Sequence, residues 1–227
     1  MARIEQTVQL QAHGAMLEGT LVAPHGARGV VLFAQGSGSG RHSPPNRFVA
    51  ETLQRWGFAT LLVDLLADAG DRAGRAVSDP RLDIVFLADR VVAATDWLRS
   101  DPRTGALPLG YVAASSGAAA ALVAAVRRPY EVRAVVSRGG RPDLALPWLA
   151  HVSAPTLFIV GGKDRVVLQF NRRAMEALTV ERELAVIPGA GHLFEEEGAL
   201  ERVADLTAGW LVAHLHSIAL SPGRSLF

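Results

Sequence analysis

Ser115 stands in the run Ala113-Ala114-Ser115-Ser116-Gly117, between an apolar stretch starting near Leu109 and an Ala-rich stretch reaching Val126. The pattern is A-x-S-x-G, one methyl away from the G-x-S-x-G corner at which a strand turns sharply into a helix. Small residues two positions either side let the backbone fold back on itself and lift the hydroxyl clear of the sheet. The next amide, that of Ser116, opens the helix and can donate to a developing oxyanion. A serine here is also a good helix N-cap, so the corner alone leaves both roles open. A serine hydroxyl becomes a nucleophile only with a base in reach, and the base needs a partner that fixes its tautomer. Two further segments supply such groups: Gly161-Gly162-Lys163-Asp164 and Gly189-Ala190-Gly191-His192. The chemistry this set could do is acyl transfer through serine.

These groups need elements that bring them together. Residues 4 to 10 and 15 to 23 alternate apolar and polar, as an antiparallel pair at a sheet edge would. The apolar run at 29–34 reads as a strand buried on both faces, 58–63 and the stretch before Ser115 as further buried strands, and 131–137, 156–160 and 184–187 as strands. Helical periodicity falls between them. One helix follows Pro45, with Val49, Thr52, Leu53 and Trp56 on one face and Gly57 at its end. Another spans 81–99, with Ile84, Leu87, Ala88, Val91, Thr95 and Leu98. Later helices carry Val167, Phe170, Ala174 and Leu178, and Leu200, Val203, Ala204, Thr207, Trp210, Leu211 and His214. Alternation of strand and helix dictates an α/β fold: a mostly parallel sheet of about eight strands with helices on both faces. In such a sheet the loops at the carboxyl ends of the strands converge on one edge, where ligands bind. Ser115, Asp164 and His192 each follow a different strand.

Other residues compete for these roles. Asp164 alone reads equally as a turn former or a helix cap. Asp64 also ends an apolar strand and is the rival acid, although it can simply start the loop of 64–79. Among seven histidines, His42 is the rival base, since its loop reaches the same edge, but glycines flank only His192 in a way that gives it reach. His13 and His25 sit at turns, and His151, His214 and His216 lie in or beside helices. Two superficial phosphate motifs fail. Arg41 stands where the third glycine of G-x-G-x-x-G belongs, and Leu157 where the first glycine of a phosphate loop belongs, with Asp164 after Lys163 in place of Ser or Thr. The Gln35–Arg41 loop still exposes amides suited to an anionic oxygen.

Composition narrows the function classes. The 227 residues are 49% apolar and 20% charged, with 22 Gly and 12 Pro, which suits one globular domain over 1–217 and a flexible tail over 218–227. A net charge of +1 gives no electrostatic case for nucleic acid or an anionic membrane. Cysteine is absent, which removes thiol nucleophiles and thiolate metal sites; neither metal nor cofactor is expected. No apolar run suits a signal peptide or a bilayer span, so the expectation is a cytoplasmic protein, monomer or homodimer.

With these residues in view, the chain resembles the dienelactone hydrolase-like branch of the α/β-hydrolases over residues 15 to 216. The matching stretches are 35–44, 114–121, 137–144, 161–164 and 189–196. The order Ser115, Asp164, His192 is also that of α/β-hydrolases. The resemblance implies Ser115 as nucleophile, His192 as base and Asp164 as its orienting acid. It also implies an oxyanion hole from the Ser37 and Ser116 amides, and no large cap domain. Gln35, Arg41, Arg138 and Phe194 are candidate substrate contacts; Arg41 or Arg138 could pair with a substrate carboxylate or phosphate, or serve as a surface arginine with structural partners. Dienelactone hydrolases proper use a cysteine nucleophile, and this chain departs from them there. It departs also in Ala113 for the elbow glycine and in Gln35 for a histidine common before the oxyanion glycine. The implied activity is hydrolysis of small carboxylic esters through an acyl-enzyme. The alternatives are acyl transfer or perhydrolysis with the same triad, and a non-catalytic protein of this fold that binds a ligand or partner.

Overall fold

The computed structural model describes residues 3–12, 14–35, 40–66 and 80–215. Its strands are β1 (Arg3–Ala12), β2 (Ala15–Pro24), β3 (Gly29–Gln35), β4 (Phe58–Val63), β5 (Leu109–Ser115), β6 (Val132–Gly140), β7 (Thr156–Gly161) and β8 (Arg182–Ile187). Helices are α1 (Pro44–Arg55), α2 (Pro80–Ser100), α3 (Ser116–Arg127), the single turn α4 (Leu146–Leu149), α5 (Arg165–Ala177) and α6 (Ala199–His214), with a 3-10 turn at Pro142–Ala145. The strands form one sheet in the order β1-β2-β4-β3-β5-β6-β7-β8. β1, β2 and β4 pair antiparallel, and every pairing from β4 through β3 to β8 is parallel. This is the eight-stranded α/β-hydrolase fold.

The sequence dictates these layers directly. β3, β4 and β7 are buried at every residue, as unbroken apolar runs require of strands covered on both faces. One core layer joins α2, α3 and α5 to the sheet, through Ile84, Leu87, Val91 and Leu98 and the alanines of α3. The other joins α1 and α6, through Val49, Leu53, Val203 and Leu211. Every residue of α3 from Gly117 to Ala125 is buried, and its small side chains let the helix lie close against the central strands. Trp56 departs from expectation. It is 49% exposed, because it stands after the last turn of α1, where Gly57 at φ +83° swings the chain into β4.

Right-handed crossovers bring the carboxyl ends of β3, β5, β6, β7 and β8 to one edge. The chain winds to opposite sides from β3 and β5, so the site falls at the switch between them. Between β6 and β7 lie only the 3-10 turn and α4, and no cap domain is present among the described residues. No described helix is long and apolar enough to cross a membrane. His13, His216, the part of the 64–79 loop from residue 67 and the 218–227 tail lie outside the described residues.

Candidate active site

Ser115 is the last residue of β5 and takes φ +53° and ψ −135°. That conformation is costly for a residue with a Cβ and persists only where surrounding packing holds it. The packing is visible. A Cβ on Gly117 would lie 2.4 Å from the Ala34 carbonyl oxygen, so only glycine lets α3 start this close to the end of β3. The Arg141 amide donates to the Ser115 carbonyl at 2.9 Å, fixing the corner from the β6 side. The serine is exposed and its side chain makes no capping bond to α3, so the N-cap role is not used. Ser116, half-buried, contributes the first amide of α3, which has no carbonyl inside the helix to meet.

Asp164 and His192 come from the ends of β7 and β8. Two backbone bonds join the two loops, Gly162 to Ile187 at 2.8 Å and Lys163 to Ala190 at 2.9 Å, and Asp164 turns back onto Gly161 at 3.0 Å. At Gly161 a Cβ would lie 2.3 Å from the Gly191 carbonyl oxygen, so the histidine loop presses directly on the strand end. His192 Nδ1 and Asp164 Oδ2 are 2.6 Å apart. A carboxylate only accepts, so Nδ1 carries the proton and Nε2 presents a lone pair. Asp164 Oδ1 meanwhile accepts the Val167 amide at 3.3 Å, so the carboxylate both caps α5 and holds the imidazole. Asp164 is 15% exposed and His192 49%, which leaves the far side of the imidazole accessible. The ring's Cε1 lies 3.7 Å from where a Gly139 Cβ would be, and the next residue, Gly140, is the strand partner of Ser115. The Ser115 hydroxyl makes no hydrogen bond among the described residues. Contacts of this kind are commonly loose until substrate fills the site.

The rival residues are occupied elsewhere. Asp64 accepts the Arg41 amide at 2.7 Å and its Nε at 3.2 Å, and so anchors the loop after β3. Arg41 also reaches Glu18 at 2.6 Å and His42 at 3.1 Å, an arginine with structural partners and only 13% exposed. His42 is thereby tied to Arg41 rather than to a nucleophile. A cavity of about 510 Å³ lies beside them, lined by Glu5, Thr7, Arg41, His42 and Arg47 among others, and it includes none of Ser115, Asp164 or His192.

Arg138 is half-buried next to Ala114 of β5. Its Nη2 donates to Asn46 Oδ1 at 2.8 Å, and burial pushes the guanidinium down to about 10. Gln35, 3% exposed, lines the same small void beneath α1. Phe194, expected to touch substrate, is instead 3% exposed, with its ring in the α1/α6 core layer and its backbone at φ +56°. The ring packs inward, with its Cε2 3.5 Å from where a Gly139 Cβ would be. Ser37 lies outside the described residues. Sequence reasoning passes over Glu196, whose carboxylate accepts the Gly191 amide at 2.9 and 3.0 Å, because the acidic run Glu195–Glu197 looks like a solvated face. Asn46 is missed as well, since nothing around it marks it as the buried partner of an arginine.

A sharp strand-to-helix corner bearing an exposed serine, with an acid–base pair on the neighbouring strand ends, is the arrangement of an α/β-hydrolase. The chain belongs to the dienelactone hydrolase family, whose model matches residues 17–209. It is 52% identical to a crystallised dienelactone hydrolase from Anabaena variabilis, with a TM-score of 0.89 over 94% of this chain and 99% of that one. Est1E from Butyrivibrio proteoclasticus shares the fold at a TM-score of 0.75 and 14% identity, over 91% of this chain and 98% of that one. A Mycobacterium tuberculosis protein with a provisional phosphoribosyl transferase name is 52% identical over 211 residues, 93% of this chain and 47% of its own length. The chain therefore spans about half the length of that curated relative.

Proposed function

We propose that the protein is a serine hydrolase that cleaves small carboxylic esters through an acyl-enzyme. The observation that carries this reading is the 2.6 Å bond from His192 to Asp164, made on the same sheet edge as a strained, exposed Ser115. In the first step Ser115 Oγ bonds to the ester carbonyl carbon, its proton passes to His192 Nε2, and the carbonyl electron pair moves onto oxygen. The oxyanion is met by the Ser116 amide and, from the family resemblance, the Ser37 amide. Collapse breaks the bond to the alcohol oxygen, which takes the proton from Nε2. Water then repeats the sequence, releasing the carboxylic acid and restoring Ser115. Asp164 supports the imidazolium throughout.

The 52% identical relative named for dienelactone hydrolysis supports ester cleavage, since a lactone is a cyclic ester. The transferase name belongs to a protein of about twice the matched length and lends no role to a residue here. A purely binding protein of this fold has no need of backbone strain at an exposed serine. The short β6–β7 connection favours small substrates. The test is hydrolysis of p-nitrophenyl acetate by the parent and by Ser115→Ala. The substitution should remove activity by roughly a thousandfold or more with the fold intact. Undiminished turnover in Ser115→Ala would overturn the assignment.

A further inference from the structure

We propose that Glu196 is a positioning residue: its carboxylate closes the loop that carries His192 and tethers it to the turn that carries Asp164, holding the acid–base pair as one unit. The inference rests on the reading of Ser115, Asp164 and His192 as a triad.

His192 lies outside any regular element, and both it and Leu193 are exposed, so neither helix nor sheet bonds aim the ring. Besides its bond to Asp164 and the Lys163–Ala190 backbone bond, a small closed loop sets its direction. The Gly191 amide, immediately before the histidine, donates to both oxygens of Glu196, at 2.9 and 3.0 Å. The same carboxylate lies 3.6 Å from Lys163 Nζ, and Lys163 immediately precedes Asp164. One side chain thus contacts the residue before the base and the residue before the acid. Inside the loop the chain passes through Phe194 at φ +56°, which is costly for a bulky residue. The buried Phe194 ring pulls this segment toward Gly139, while Glu196 pulls its end back to Gly191. Between these two anchors His192 is left pointing outward over the strand end.

The Glu196 carboxyl is held below the ordinary carboxylate range, chiefly by the Gly191 amide, so the clamp remains ionised in mildly acidic solution. Lys163 and Glu196 are 65% and 40% exposed, and exposed pairs contribute little to stability. Losing the clamp should therefore disturb the aim of the imidazole far more than the fold. This separates a positioning role from a structural one.

The experiment compares the parent with Glu196→Ala and Glu196→Gln. The alanine variant loses the acceptor, and kcat for p-nitrophenyl acetate should fall about tenfold, with KM within about twofold and the melting temperature nearly unchanged. Glutamine keeps an oxygen for the Gly191 amide but loses the charge facing Lys163, and should restore part of the rate. The downfield proton resonance of the His192 Nδ1–Asp164 bond should be visible in the parent and in Glu196→Gln, and broadened or lost in Glu196→Ala. A kcat for Glu196→Ala within twofold of the parent overturns the proposal. If the parent shows no esterase activity, the functional reading fails instead. The clamp is then decided by the resonance alone, and its persistence in Glu196→Ala refutes it.

Discussion

Gly117→Ala probes the corner on which the account depends. The new methyl would lie 2.4 Å from the Ala34 carbonyl oxygen and 2.8 Å from the Gln35 carbonyl carbon, where ordinary contact begins near 3.4 Å. Both are backbone atoms of β3, so relief requires the start of α3 to retreat by about 1 Å. Overpacking of this kind costs about 1 to 3 kcal/mol, offset by up to about 1 kcal/mol of helix propensity. At about 2 to 4 °C per kcal/mol for a chain of this size, the melting temperature should fall by several degrees. The retreat carries Ser115 and the Ser116 amide with it, and a 1 Å misplacement of reacting groups costs about a hundredfold in rate. Calorimetry and p-nitrophenyl acetate kinetics measure the two losses. Gly209→Ala is the control: Gly209 lies within α6 with nothing within 4 Å of its virtual Cβ, so alanine there should raise the melting temperature and leave turnover alone. Parental stability and rate in Gly117→Ala would refute the close approach and the placement of the corner derived from it.

Asp164→Asn should lower kcat by a factor on the order of a thousand relative to Asp64→Asn, because the amide presents the wrong tautomer to His192 whereas Asp64 anchors Arg41. Steady-state kinetics on both variants decide it, and a crippled Asp64→Asn beside a near-normal Asp164→Asn would move the acid to β4. Asp101 is held below the usual carboxylate range, first by its side-chain bonds to Arg103 at 2.9 and 2.6 Å. The unfolded chain then binds more protons in acid, so this contribution is full above the unfolded value and is lost as pH falls through the folded one. The gap in urea midpoint between the parent and Asp101→Asn should narrow from pH 6 to pH 3, and a constant gap would refute the attribution.

Much of the fold is legible in the sequence because its signals are local. The apolar runs of β3, β4 and β7 and the alanines of α3 state their burial directly, and Gly57 marks the end of α1. The pairing of Asp164 with His192 is legible for a related reason. Asp164 and His192 each follow an apolar strand, and a parallel sheet must bring such strand ends together. Other features depend on contacts between distant segments. Arg41 reads as a possible anion receptor until Glu18 and Asp64 are seen against it. Phe194 sits two residues from the base, yet its left-handed backbone turns the ring into the core. Glu196 is one of three consecutive glutamates, and only the fold of its own loop selects it.

Covalent labelling tests the central claim most directly. A fluorophosphonate reacts much faster with a serine whose hydroxyl is activated by a neighbouring base than with an ordinary one. Incubation of the parent protein followed by peptide mass spectrometry should place a single adduct on Ser115. The adduct should be absent from Ser115→Ala and form far more slowly in His192→Ala. No adduct on the parent, or one that persists at another residue in Ser115→Ala, would contradict the account.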